Sequence, residues 1–303
     1  MTNQISVLFA WVKEFIKALR VFSLTLALGA TNIGMIAAFR DGTMEHPGTL
    51  NNVLLILLIT VAGLASQAGA NLINDFFEGS FKYNNPSETY HIFLGHKRSV
   101  FDIFVFLAGL AALCLAALIG LYLVYISDWK MLVIGLTGII GSYAYTGEPF
   151  VYKTKGLGVI LSFVLMGPLM LLGAYYPFSS QLSWYPVLLG LPISLLVPAM
   201  MISNEMRDFK RDKRLSMGTL STIIGPRASL ILFDTLVFGS FGLTAVYLYL
   251  GIYPLPSAVV FLFFPIALRA HRLVAGFEGL SIPWTNRLHL LNLTVFSVTL
   301  LLF

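Results

Sequence analysis

The sequence predicts an all-α integral membrane protein of about nine transmembrane helices, each needing ~20 mainly apolar residues. Three observations carry that expectation. Hydrophobic residues make up 57% of the 303 positions and charged residues 11%, where a soluble domain carries about 25% charged residues. Mean hydropathy is +0.84. The apolar residues are also gathered into long runs separated by short charged stretches.

Taken in order, the first element is amphipathic. Leu8, Trp11, Val12, Phe15, Ile16 and Leu19 recur at helical period against Lys13, Glu14 and Lys17. That pattern fits an interfacial helix over 1–20 rather than a secretory leader. Spans are then expected at 21–39, 52–74, 101–125, 130–148, 157–177, 184–203, 228–251, 255–270 and 285–303. No low-complexity linker divides the chain, so 1–303 reads as a single polytopic membrane domain. The longest polar stretches are 78–100 and 204–227. The one cysteine, Cys114, lies in an apolar run and excludes a disulfide framework. His46, His91, His96, His271 and His289 show no metal-ligand spacing.

Charge distribution sets the expected orientation. Lys82, Lys97, Arg98, Lys153, Lys155, Arg207, Lys210, Arg211, Lys213, Arg214, Arg227, Arg269, Arg272 and Arg287 fall in or beside the connections after the even-numbered spans. Lys13, Lys17 and Arg20 precede the first span, which leaves Arg40 and Lys130 for the other face. Positively charged loops stay in the cytoplasm, so these loops are expected there, in a multi-pass protein of the cell membrane. The pI near 9.3 follows from topology and requires no nucleic acid.

Two acidic clusters stand out in so apolar a chain: NLINDFFE at 71–78 and NEMRDFKRD at 204–212. Asn71 and Asp75 recur as Asn204 and Asp208, extended by Glu78 and Asp212. Residues at i, i+4 and i+7 or i+8 share one helix face. Each cluster thus offers a row of oxygen donors suited to Mg²⁺. Acids at a helix C-terminus oppose the macrodipole, and bound cations would remove that conflict. The plainer readings are a solvated helix end for Asp75 and Glu78, and surface ion pairs with the interleaved arginines and lysines for Asp208 and Asp212. The recurrence also hints at a repeat of helical hairpins, which the identity between the halves does not establish.

The motifs NLINDFFE, YTGEPFVYKTKGLG, GPLMLLGAYY and NEMRDFKRDKRLSMGTLSTIIG together resemble the UbiA superfamily of intramembrane aromatic prenyltransferases, and most of all its menaquinone branch. The resemblance is collinear over about 65–225. It implies a helical bundle enclosing a prenyl-diphosphate cavity open towards the cytoplasmic face. By position it places Asn71 and Asp75 at the diphosphate end, with Asp75 and Glu78 as Mg²⁺ ligands, Glu78 standing where the family usually has Asp. The second motif implies substrate contacts from Asn204 and Arg207 and metal ligation by Asp208 and Asp212, so that Asp75, Asp208 and Asp212 carry catalysis. Tyr145, Lys153 and Lys213 join as candidate substrate-binding residues. The chain departs from the family pattern at Lys82, Asn84, Glu148 and Val159. Asp234, within the seventh span, has no assigned role.

The implied reaction is Mg²⁺-dependent transfer of a polyprenyl group from a polyprenyl diphosphate to an aromatic quinone precursor, first 1,4-dihydroxy-2-naphthoate in menaquinone biosynthesis. Other acceptors compatible with the superfamily are 4-hydroxybenzoate, homogentisate and a glycerol-phosphate lipid. A transporter is the rival from another class, but transport sites sit near the midplane, whereas these acids cluster at one face. Prenyl chain length and oligomeric state are not legible.

Overall fold

A computed structural model of the chain describes residues 2–44, 49–78 and 90–303; Lys82, Asn84 and His46 lie outside them. The chain folds as an all-α multi-pass bundle. Helices α1 (Thr2–Leu19), α2 (Val21–Arg40) and α3 (Leu50–Glu78) are followed by a two-stranded hairpin, β1 (Tyr90–Phe93) and β2 (His96–Ser99). Then come α4 (Val100–Ile126), α5 (Trp129–Ala144), α6 (Gly158–Val164), α7 (Met170–Ser179), α8 (Tyr185–Leu189), α9 (Leu191–Ser194) and α10 (Leu196–Arg214). The chain closes with α11 (Leu220–Ile224), α12 (Pro226–Tyr249), a 3-10 segment Leu255–Phe263, α13 (Phe264–Ala275) and α14 (Ser281–Leu302).

Every expected apolar window falls on helix. Among the described residues, six helical segments are long and apolar enough to cross a membrane: Val21–Arg40, Leu50–Glu78, Val100–Ile126, Gly158–Ser179, Pro226–Tyr249 and Leu255–Ala275. The other three fall short for separate reasons. Helix α5 has 16 residues. The stretch through α8, α9 and α10 is broken at Pro186, Gly190 and Pro192. Helix α14 carries Asn286, Arg287, His289 and Asn292 in its first half, and the asparagines and the histidine are buried.

The main core is built where α2, α7, α10, α12 and α14 meet, around Ile33, Leu171, Leu196, Phe233 and Phe296. Close approach is set by glycine: a Cβ on Gly34 would lie 2.6 Å from the Leu171 carbonyl and 2.8 Å from Ala174 Cβ. Helix α1 packs across the start of α4, with Trp11 on Phe101 at 5.2 Å and Phe15 on Phe104 at 5.8 Å between ring centroids. The joint from α1 to α2 is a single left-handed residue, Arg20 (φ 49°). Between α6 and α7 lies a π-helical turn, Leu165–Leu169, containing Pro168. Behind α5, of which Met131 and Ala144 alone are buried, is an apolar cavity of about 110 Å³ lined in part by Gly63, Gly120, Gly135, Gly138 and Gly173.

Among the described residues the hairpin is the one element built of strands, in a stretch that reads as polar loop. Its register pairs Tyr90 with Ser99 and Phe93 with His96. Leu94 (φ 49°) and Gly95 (φ 75°) make the turn, the two-residue form with both φ values positive that matches strand twist. Ser99 then caps α4 in a reciprocal box with Asp102.

Gly34→Ala forces a methyl against backbone, which cannot yield as a flexible side chain would. It should destabilise the bundle by about 1–3 kcal/mol, read as a lower midpoint of thermal unfolding in detergent. An unchanged midpoint would show that α2 and α7 can separate freely.

Candidate active site

Both acidic motifs end at the same end of the bundle. Helix α3 brings a polar stripe to that end: Gln67, Asn71, Asn74 and Glu78 succeed each other at i, i+4, i+7 and i+11, one face of the helix. The side-chain amide nitrogen of Asn71 donates to Leu19 O at 2.8 Å and to Ser23 Oγ at 2.7 Å, while its oxygen accepts from Gln67. Asn71 therefore ties α3 to the joint between α1 and α2. Asn74 is different. It is 1% exposed, and neither its amide oxygen nor its nitrogen has a partner among the described residues. A buried unpaired amide costs about 1–3 kcal/mol, so this side chain is the one the stripe leaves ready for a ligand. Asp75 is buried beside it.

Glu78 is held from two directions. Arg20 donates to its Oε2 at 3.1 Å and Lys153 to its Oε1. Burial works to lower the pKa of Arg20, but the negative charge of Glu78, helped by Tyr145 and Asp75, outweighs it and holds the guanidinium above its usual value. The C-terminal carbonyls of α3 are met by a third cation: Arg98 of β2 donates through Nε to Phe76 O at 2.8 Å and through a terminal nitrogen to Phe77 O at 3.2 Å. The conflict between acids and macrodipole is eased by Arg20, Lys153 and Arg98.

Lys153 is delivered by the connection after α5. Tyr152–Thr154 forms a 3-10 turn entered through Val151 at φ 42°, a left-handed conformation that costs a β-branched residue about 1–3 kcal/mol. That turn buries Tyr152 and Lys153 and sets the Lys153 ammonium 5.6 Å from the centre of the Tyr145 ring. The connection is docked on the segment after α10 by a bridge between Lys155 and Gly218. There a Cβ on Gly218 would come 2.6 Å from Thr154 O. Lys153 is consequently close enough for its charge to act on Glu205 and Asp212 as well as Glu78.

The second motif lies on α10. Arg207 grips Asp208 with two bonds of 2.8 and 2.6 Å. Arg211 reaches Asp208 at 3.2 Å and Asp212 at 2.8 Å. Asp212 is 2% exposed, Arg207 and Lys213 are exposed, and the amide of Asn204 donates back to Met200 O at 3.2 Å. These are the ion pairs of the plainer reading. Glu205, which the sequence alone did not single out, is buried and accepts from the Ser221 backbone N–H at 2.8 Å. Elsewhere, Asp234 pairs with His271 at 2.7 Å across α12 and α13, and exposed Glu148 pairs with His96 at 3.0 Å.

Among the described residues no three His, Cys, Asp or Glu side chains cluster closely enough to form a protein-only metal site. The donors on hand are hard oxygens: Asp75, Glu78, Asp208, Asp212 and the unpaired Asn74 amide. That set fits Mg²⁺, which is usually bound through one or two carboxylates plus substrate phosphates.

Comparison with known proteins places the chain in a family. Residues 20–281 match the model of the UbiA prenyltransferase family. The chain belongs to the UbiA prenyltransferase family. A rat UbiA prenyltransferase domain-containing protein 1 (Rattus norvegicus) is 30% identical over 231 residues, which cover 74% of this chain and 65% of that protein. The UbiA-family relative 1,4-dihydroxy-2-naphthoate octaprenyltransferase of Bacillus subtilis (strain 168) is 28% identical over 185 residues, 60% of this chain and 58% of the relative. Solved structures share the fold. A UbiA homolog from Aeropyrum pernix K1 superposes with a TM-score of 0.61 at 13% identity, covering 90% of this chain and 96% of its own. One from Archaeoglobus fulgidus, bound to GPP and Mg²⁺, gives 0.58 at 14% identity over 95% and 99%.

Glu78→Gln leaves Arg20 and Lys153 facing a neutral amide in a buried setting, which should cost about 3–5 kcal/mol. Adding Lys153→Met removes one unpaired cation and should recover part of that loss. Chemical or thermal unfolding of the two single variants and the pair measures the coupling; strict additivity would show that Glu78 and Lys153 do not interact.

Proposed function

We propose that this protein transfers a polyprenyl group from a polyprenyl diphosphate to an aromatic quinone precursor, with a dihydroxynaphthoate as the first acceptor. The observation that carries the reading is the set of buried Asn74, Asp75 and Lys153 with part-buried Glu78 and Arg20 at one end of a mainly apolar bundle. A lipid-soluble chain with a strongly anionic head needs such an address, with cations and hydrogen-bond donors at the helix ends and apolar walls below. Family membership supports the chemistry, and the Bacillus subtilis relative, named for 1,4-dihydroxy-2-naphthoate, supports the acceptor. A glycerol-phosphate lipid is the second reading, supported by the fold likeness to digeranylgeranylglyceryl phosphate synthase at a TM-score of 0.60. The excess of positive loops at this end supports a site on the cytoplasmic face of the cell membrane.

Roles follow from position. Asp75, Glu78, Asp208 and Asp212 are the carboxylates that would hold Mg²⁺, with Asn71 and Asn204 flanking them on the same helices. Bound there, Mg²⁺ neutralises charge building on the departing diphosphate. Lys153 and Arg20 offer fixed positive charge to phosphate oxygens, and Arg207 and Arg211, already beside the carboxylates, offer planar forks that phosphate can accept bidentately; Lys213 adds exposed charge at the rim. As the carbon–oxygen bond of the donor breaks, the electron pair leaves with diphosphate and an allylic cation remains. The aromatic carbon of the acceptor attacks that cation, and the ring then loses a proton or its carboxyl group. Burial at this end excludes water that would intercept the cation, and the Tyr145 ring beside Lys153 presents a π-face to positive charge.

The deciding experiment incubates the purified full chain in detergent with labelled geranylgeranyl diphosphate and a panel of acceptors that includes 1,4-dihydroxy-2-naphthoate, 4-hydroxybenzoate, homogentisate and geranylgeranylglyceryl phosphate. A prenylated naphthoate is the expected product. Chelation by EDTA should abolish turnover, and added Mg²⁺ should restore it; full turnover in EDTA would remove the metal from the reading. Asp75→Ala and Asp208→Ala should each lower the rate by about a hundredfold or more while leaving the folded protein soluble in detergent. Near wild-type turnover in either variant would overturn the two-motif site.

A further inference from the structure

The hairpin of α13 and α14 carries a feature that takes no part in the site described. Its tip lies at the site end of the bundle, since Phe277 stacks on Phe209 of α10 at 5.8 Å and lies under Lys210 at the same distance. Three residues into α14, Trp284 is covered by two guanidiniums. Arg269 of α13 is 4.2 Å from the indole ring and Arg287 of α14 is 4.9 Å from it. Both arginines are exposed, and neither pairs with a carboxylate among the described residues. Both arginines of the acidic motifs, Arg207 and Arg211, do.

Depth and direction identify what these charges face. Arg269 lies six residues before the end of α13 and Arg287 six residues after the start of α14, so at 1.5 Å per residue both sit about 9 Å below the helix ends. Both point outward. On α13 the exposed residues deeper than Arg269 are Leu268, Pro265 and Phe264, and on α14 those deeper than Arg287 are Thr294, Val298, Leu301 and Leu302. Two antiparallel helices therefore present paired cations above a mainly apolar surface, on the outside of a membrane protein. An aqueous anion would need no apolar surface beneath it, and a neutral lipid would need no paired guanidiniums.

We propose that Arg269, Arg287 and Trp284 form a binding site for one anionic phospholipid, its headgroup phosphate on the two guanidiniums and its acyl chains along the mainly apolar face of α14 below Arg287, past Val298 and Leu301. The indole holds both guanidiniums in place by cation–π attraction, so their N–H forks are positioned before the phosphate arrives. The site is independent of donor and acceptor and does not rest on the proposed reaction.

The test titrates the full chain, purified in detergent, with phosphatidylglycerol or phosphatidylcholine and follows the thermal unfolding midpoint and the phospholipid retained after washing. Phosphatidylglycerol should raise the midpoint and be retained; phosphatidylcholine should do neither. Arg269→Gln with Arg287→Gln should weaken phosphatidylglycerol retention about tenfold or more and remove the shift. Arg269→Lys with Arg287→Lys keeps the charge without the planar fork, and should retain a smaller part of both effects; it also serves where the glutamine pair fails to fold. Equal shifts with the two lipids, or undiminished retention in both double variants, overturn the proposal. A third arm adds inorganic pyrophosphate: if it reproduces the phosphatidylglycerol shift and displaces the lipid, the arginines bind free phosphate and the lipid assignment fails.

Discussion

The pairing of Glu78 with Arg20 and Lys153 is the interaction on which the rest of the site end depends. It joins three parts of the chain: the joint between α1 and α2, the last turn of α3, and the connection after α5. A buried carboxylate with two cationic partners is costly to dismantle one group at a time, because each removal strands a charge in a poorly solvated place. The pair therefore fixes where Lys153 stands, and Lys153 in turn lies within electrostatic reach of Glu205 and Asp212 on α10. Lys153 thus stands between the two acidic motifs, paired with the first and near in charge to the second.

Excess positive charge around the carboxylates has a second effect. Asp208 and Asp212 are occupied by Arg207 and Arg211, and Glu78 by Arg20 and Lys153. A doubly charged head approaching this end meets cations already ordered by acids, so the rearrangement needed is an exchange of partners rather than the ordering of free side chains. Preorganisation of that kind lowers the entropic cost of binding. Asn74, which has no partner among the described residues, is the exception.

Much of this was legible in the sequence. Apolar run length located every helical window, because the membrane leaves few alternatives for a long uncharged segment. The acidic motifs stood out because charge is so scarce elsewhere. What escaped is what depends on three-dimensional partners. Asn71 and Asn74 look alike in the sequence, and only packing reveals that Asn71 ties down the α1–α2 joint while Asn74 is left unpaired. Arg20 read as positive-inside charge, yet it is a partner of Glu78. The reasoning that acids at a helix end call for metal overlooked Arg98, which arrives from a hairpin hidden in a polar stretch whose turn, Leu94–Gly95, lacks the usual asparagine or aspartate signal. Glu205 was masked by the louder charges around it.

The π-helical turn at Leu165–Leu169 separates two halves of one membrane segment with different attachments. Helix α6 begins at Gly158, beside Lys153 and Tyr145. Helix α7 ends in Tyr175 and Tyr176, whose hydroxyls are fastened to Asp41 and, at 2.7 Å, to Asp128 on the far loops. Pro168 sits inside the turn and cannot donate a backbone hydrogen bond there. The segment thus changes pitch midway between two attachments. Its far end is anchored to the loops by two phenols, and its near end is packed against the lysine and tyrosine of the site, so the turn sets the angle between them.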